Sequence, residues 1–165
     1  MMTINLEQQK HSLNFDINRS IRYNSKRVAF FQKWDLIVNF FNLLLGSSTA
    51  ASLFIGYPNV AIGAAFIVTV LSLFALLIGF SVKANQHQNL VFAFGRLREN
   101  LNSQPLTFEL LNQINEKMHQ LDDEEGEPHK YLERIAYNET VIALGYNEDD
   151  LLKVKWYQRL FAQYL

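Results

Sequence analysis

Asn39, Asn42, Gly46 and Thr49 recur at steps of three, four and three within an otherwise apolar stretch. That spacing places them on one face of a helix. Side-chain amides and hydroxyls in apolar surroundings cost free energy unless they meet a partner or water. Two chemistries are open to them. Asn39 and Asn42 can hydrogen-bond across a helix hairpin or between subunits, or copies of the stripe can surround a wetted pore. The stretch carries no charged ring, so strong charge selectivity is not expected. Enzymatic chemistry finds little footing. His11, His87, His119 and His129 are scattered and lack a ligand spacing such as H-E-x-x-H. The absence of cysteine removes a thiolate nucleophile, a Cys-ligated zinc site and a disulfide scaffold. There is no glycine-rich phosphate loop and no G-x-S-x-G elbow. The acidic run Asp122 to Glu127 lacks the EF-hand pattern and reads as a solvated turn. The expectation is a non-enzyme without metal or cofactor.

The elements that carry the polar stripe stand out by charge. No Asp, Glu, Lys, Arg or His occurs from Leu36 to Val82, in a chain that is 19% charged overall. Two apolar runs, 36–55 and 60–82, flank a turn at Gly56-Tyr57-Pro58-Asn59. At 1.5 Å per residue each run reaches roughly 30 Å, the thickness of a bilayer's hydrocarbon core. A transmembrane hairpin is the reading, with a buried soluble hairpin as the alternative. The polar first 35 residues do not resemble a signal peptide. Small residues repeat at four-residue spacing, as Gly46/Ala50, Ser47/Ala51, Ala61/Ala65 and Ala75/Gly79, and suit close helix packing.

Charge outside the runs supplies an orientation. Residues 1–35 hold six Lys/Arg against three acids, and residues 83–104 hold three against one. Residues 105–165 hold six against twelve. The overall net charge of −1 is therefore a cancellation, and the chain is not a generally basic nucleic-acid binder. By the positive-inside rule both termini face the cytoplasm. Lys33 and Trp34 before the first run and Lys83 after the second are interfacial anchors. Arg19, Arg22, Lys26 and Arg27 are expected interface anchors too; the face of Arg19, Arg22 and Lys26 reads as lipid-headgroup contacts or a solvated surface, with a dedicated ligand site as the sharper alternative.

The division is a basic N-terminal helix (1–35), a hairpin (36–82) and a cytoplasmic helical region (83–165). Ile17, Ile21, Val28 and Phe31 form a heptad-like stripe with Asn24 in its gap. Leu90, Phe94, Leu97 and Leu101 form a second. Both membrane helices are expected to continue outward and pack as an antiparallel stalk. Thr107 can cap a helix whose apolar side is Phe108, Leu111, Ile114, Met118 and Leu121. A further helix runs from about His129 to Leu144 with Gly145 just past its end. Asn147 or Asp149 can cap a last helix ending in WYQRLFAQYL. Its Trp156, Tyr157 and Phe161 make a packing face, or a docking face for a partner. No segment shows sustained strand alternation, so the class is all-α.

The ordered set resembles the SLATT family of small two-span bacterial proteins. It comprises Arg19-Ser20-Ile21-Arg22-Tyr23, Phe30-Phe31-x-x-Trp34, Gly46-Ser47-Ser48, Gly79-Phe80-Ser81 and Arg96-Leu97. It ends with Glu127-Pro128, Tyr137-Asn138-Glu139, Leu144-Gly145-Tyr146 and Trp156-Tyr157-Gln158-Arg159-Leu160. The resemblance implies a homo-oligomeric pore in the bacterial inner membrane, an effector of an anti-phage or conflict system. It also implies a trigger from a separate sensor protein or a diffusible nucleotide. A two-helix hairpin encloses no channel, so a pore requires several chains. The alternatives are a non-conducting membrane scaffold or sensor that recruits a cytosolic partner, and a holin-like phage protein.

Overall fold

The computed structural model describes residues 2–47 and 55–164. Thr49, Ala50 and Ala51 of the sequence reading lie outside the described residues. Among those described the secondary structure is helical, with no strand. The helices are α1 (Met2–Gly46), α2 (Pro58–Ile78), α3 (Phe80–Ser103), α4 (Phe108–Glu125), α5 (Lys130–Ala143) and α6 (Trp156–Leu160). A 3₁₀ turn, Glu148–Asp150, precedes α6. The chain forms two compact units, Val28–Asn85 and the combination of Met1–Arg27 with Gln86–Leu165.

In the larger unit, α1 and α3 run antiparallel. Asn18 pairs with Arg98 and Asn24 with His87, so numbering falls on one helix as it rises on the other. The second stripe read from the sequence meets the first half of the first stripe here, through Ile17 and Ile21, while Val28 and Phe31 belong to the smaller unit. Ile17 of α1 and Phe94 and Leu101 of α3 are fully buried, with Leu13, Leu90 and Leu97 beside them. Helix α4 completes this core through Leu110, Leu111, Ile114 and Met118. Burying a side chain of this size stabilises by about 1.5–3 kcal/mol relative to leaving it in water.

Thr107 caps α4, its hydroxyl accepting from the Leu110 N–H at 3.1 Å. The apolar face differs from the expectation at its first member. Phe108 is 58% exposed, and Leu110 is buried instead. At about 100° per residue, Phe108 falls outside the arc occupied by Leu110, Leu111, Ile114, Met118 and Leu121. The acidic run also differs. Helix α4 continues through Glu125, and only Gly126 to Pro128 forms the turn.

Helix α5 ends as its sequence suggests. Gly145 adopts φ 72°, the Tyr146 N–H reaches the Val141 carbonyl at 3.0 Å, and the Gly145 N–H reaches Ile142 at 3.2 Å. This is the Schellman pattern, which favours glycine at the left-handed position. Leu132 and Ala136 of α5 pack with Tyr23 and Ala162. The last expected helix is much shorter than its apolar pattern implies. Asn147 does cap, accepting from the Asp149 N–H at 3.2 Å, but the chain then makes only the 3₁₀ turn and an extended segment before α6. Asn138 of α5 holds that segment extended. It donates to the Leu152 carbonyl at 2.7 Å and accepts from the Leu152 N–H at 2.8 Å.

In the smaller unit the second part of α1 pairs antiparallel with α2 and the start of α3. Phe31 faces Lys83, Trp34 faces Phe80 and Asn42 faces Ser72. Pro58 stands at the start of α2, where its missing N–H has no helical partner to lose. Gly79 divides α2 from α3 with φ 65° and ψ 50°. Backbone hydrogen bonds continue on both sides, from Gly79 N–H to Ala75 and from Lys83 N–H to Gly79, each 2.9 Å. The sequence reads this stretch as uninterrupted helix; the left-handed residue is tolerated because glycine lacks a Cβ.

Candidate functional site

The apolar hairpin leaves much of its surface uncovered. Two helical stretches are long and apolar enough to cross a membrane. No residue of α2 is buried, and Leu76 and Leu77 are 79% and 82% exposed. Leu36, Leu43, Ile62 and Phe66 are exposed as well. The packed seam consists of Phe31, Val38, Phe80 and Ala84, with Leu71, Ala75 and Ile78 against it. Hydroxyls outside the seam bond to nearby backbone, Thr69 to the Ala65 carbonyl at 2.9 Å within α2 and Ser47, just past the end of α1, to Leu44 at 3.2 Å. Such back-bonding satisfies a polar group where water is absent.

The polar stripe divides. Asn42 is half-buried, and its Oδ1 accepts from the Ser72 hydroxyl at 3.3 Å, across the hairpin. Asn39 and Gly46 are exposed, and Asn39 donates to Asp35 at 3.1 Å. Of the small residues, Ala61 and Ala75 are half-buried, Ala65 is exposed, and Gly79 supplies the helix junction. An aromatic band marks the end of the seam. Trp34 stacks on Phe80 with centroids 6.3 Å apart, and the Lys83 ammonium lies 5.7 Å from the Phe31 ring. Lys33 is exposed beside it. Aromatic rings and lysines of this kind suit a membrane–water interface.

In the larger unit, α1 presents polar side chains to its neighbours. Arg19 Nε lies 2.9 Å from a Glu133 oxygen, and Lys26 Nζ lies 2.6 Å from Glu139. Arg27 donates to the backbone and side chain of Gln163 at 3.0 and 3.1 Å. The Tyr23 hydroxyl accepts from the His129 N–H at 3.0 Å. These residues hold α5 and the C-terminal segment onto α1, a role that spacing alone does not reveal.

Asn24 is an enclosed polar group of this unit. It is fully buried and makes three contacts. Its Nδ2 donates to the Ser20 carbonyl at 3.0 Å and to Glu125 Oε2 at 2.9 Å. Its Oδ1 lies 2.7 Å from His87 Nδ1. The Ser20 carbonyl only accepts, which fixes the amide's orientation and requires the proton of this contact on His87 Nδ1. Burial pushes the Glu125 carboxyl up to about 7, against the hydrogen bond from Asn24; Glu133 and Asp122 add to the rise. Glu133 is also raised by burial, which outweighs Arg19, and Asp122 is raised by burial too. A cavity of about 560 Å³ opens beside this cluster, lined by His87, Arg96, Glu124 and Glu125 among others. Nothing in the sequence singles out Glu125, because its neighbours are the solvated acids of the same run.

At the C-terminal end Trp156 is 77% exposed, and Tyr157 and Phe161 are exposed beside it, while Ala162 turns inward to the Tyr23 cluster. No protein-family model matches the chain, and neither a curated protein nor a solved structure shows similarity to it.

Proposed function

We propose that the chain is a two-span protein of the bacterial inner membrane, with both termini in the cytoplasm, that assembles into a homo-oligomeric pore. In this reading it is the effector of an anti-phage or conflict system and depolarises the membrane on a defence signal, from a separate sensor protein or a diffusible nucleotide. It requires no cofactor and performs no catalysis. The observation that carries the reading is the uncovered apolar surface of α2. A soluble core helix buries one face; a helix apolar all round and unburied needs lipid or other copies of itself. Asn39 and Gly46, exposed away from the seam, are the described members of the stripe available to a ring of subunits. The resemblance to SLATT proteins supplies the biological setting.

The exposed Trp156, Tyr157 and Phe161 favour a second reading, a membrane scaffold that recruits a partner through its C-terminal region. Induction in cells carrying a membrane-potential dye separates the two. The pore reading expects collapse of the potential once the defence signal is present. The scaffold reading expects the potential to hold.

A further inference from the structure

We infer that the larger unit contains a binding site for a phosphate-class oxyanion, formed by Arg22 and Lys26 of α1 and Arg98 of α3. A cavity of about 290 Å³ is lined by these three cations together with Asn18, Ser25 and Glu139. Asn18, Arg22 and Lys26 succeed one another at four-residue steps and so share one face of α1. Arg98 reaches the same place from the antiparallel helix, donating to Asn18 Oδ1 at 3.1 Å.

The charges do not cancel. Glu139 pairs with Lys26 at 2.6 Å. Arg22 has no ion-pair partner among the described residues, and Arg98 has only the neutral Asn18. The Arg22 Nε is buried without a hydrogen-bond partner. A buried guanidinium nitrogen left unpaired is costly, and an anion on the neighbouring nitrogens offsets the uncompensated charge. Two guanidinium groups and an ammonium facing one cavity suit a tetrahedral oxyanion, which accepts from several donors at once. The Ser25 hydroxyl, which donates to the Ile21 carbonyl at 2.7 Å, adds polarity without charge. Glu139 is the one acidic competitor, held off by Lys26. Phosphate binding here is independent of whether the chain conducts ions.

Isothermal titration calorimetry of the full chain in a maltoside detergent, with inorganic phosphate at low salt, tests the site. Saturable binding is expected, weakened at least tenfold by Arg22→Gln and by Arg98→Gln. Arg159→Gln removes the same charge from exposed α6 and is expected to leave binding unchanged. Glu139→Gln removes the competitor and is expected to tighten it several-fold, an outcome that misfolding cannot imitate. A second arm distinguishes the source of the phosphate. In phosphatidylcholine nanodiscs, displacement of inorganic phosphate by added phosphatidic acid identifies a lipid headgroup, and retention identifies a soluble ligand. Absence of saturable binding would overturn the inference. So would equal weakening by Arg159→Gln, or parental binding in both Arg22→Gln and Arg98→Gln.

Discussion

The Asn24 amide donates to Glu125 Oε2 at 2.9 Å, joining the middle of α1 to the last residue of α4 across 101 positions of sequence. One buried amide thereby ties three helices, because its oxygen also meets His87 of α3 at 2.7 Å. Neither a charged nor an apolar residue serves all three contacts at this position.

This cluster gives stability a pH dependence. The ordinary Glu125 value is 4.5 and the folded value is about 7. Between them the folded chain keeps a proton that the unfolded chain has lost. Stability therefore falls as pH rises from 4.5 to about 7 and levels above that. At about 1.4 kcal/mol per unit the contribution is at most about 3–4 kcal/mol. Glu125→Gln stays neutral and keeps an acceptor for Asn24. It is expected to raise stability at pH 8 and flatten the slope, leaving the part due to Glu133 and Asp122. Thermal unfolding at pH 5 and pH 8 measures both; an unchanged slope would count against the assignment.

Asn24→Leu keeps the branched shape and takes one hydrogen bond from each of His87 and Glu125. A loss of about 1–3 kcal/mol is expected, from the hydrogen bonds lost at a fully buried position. Chemical denaturation measures it. A loss below about 0.5 kcal/mol would show that the amide is not structurally required.

Gly145→Ala isolates backbone strain. A Cβ there meets nothing within 4 Å, yet φ is 72°. The expected cost is about 1–2 kcal/mol, from the left-handed conformation alone. The same denaturation experiment on Gly145→Asn is expected to recover part of that loss, because Asn tolerates the left-handed region.

Local signals explain what the sequence revealed. Of the stripe Ile17, Ile21, Val28 and Phe31, with Asn24 in its gap, all are buried except Ile21, which is half-buried, and Thr107 and Gly145 occupy the helix ends that their chemistry favours. What escaped depends on distant partners. Glu125 becomes special only because the fold buries it beside Asn24. The helical pattern of the last residues yields to the two hydrogen bonds between Asn138 and Leu152. Arg19 and Lys26 find Glu133 and Glu139 more than a hundred positions away, which no periodicity announces.

Asn138→Ala removes both of those bonds from an exposed segment. Amide hydrogen exchange at Leu152 is expected to accelerate at least tenfold, with exchange in the α1–α3 core unchanged. Equal protection in the variant would place the restraint elsewhere.

Electrical recording tests the central claim most directly. The full chain, reconstituted into a planar bilayer and shown to be inserted, is expected to produce stepwise conductance in the presence of its defence signal. Asn39→Leu, which removes an exposed amide of the stripe, is expected to insert normally and to change the step size. An inserted, electrically silent protein with the signal present would contradict the pore.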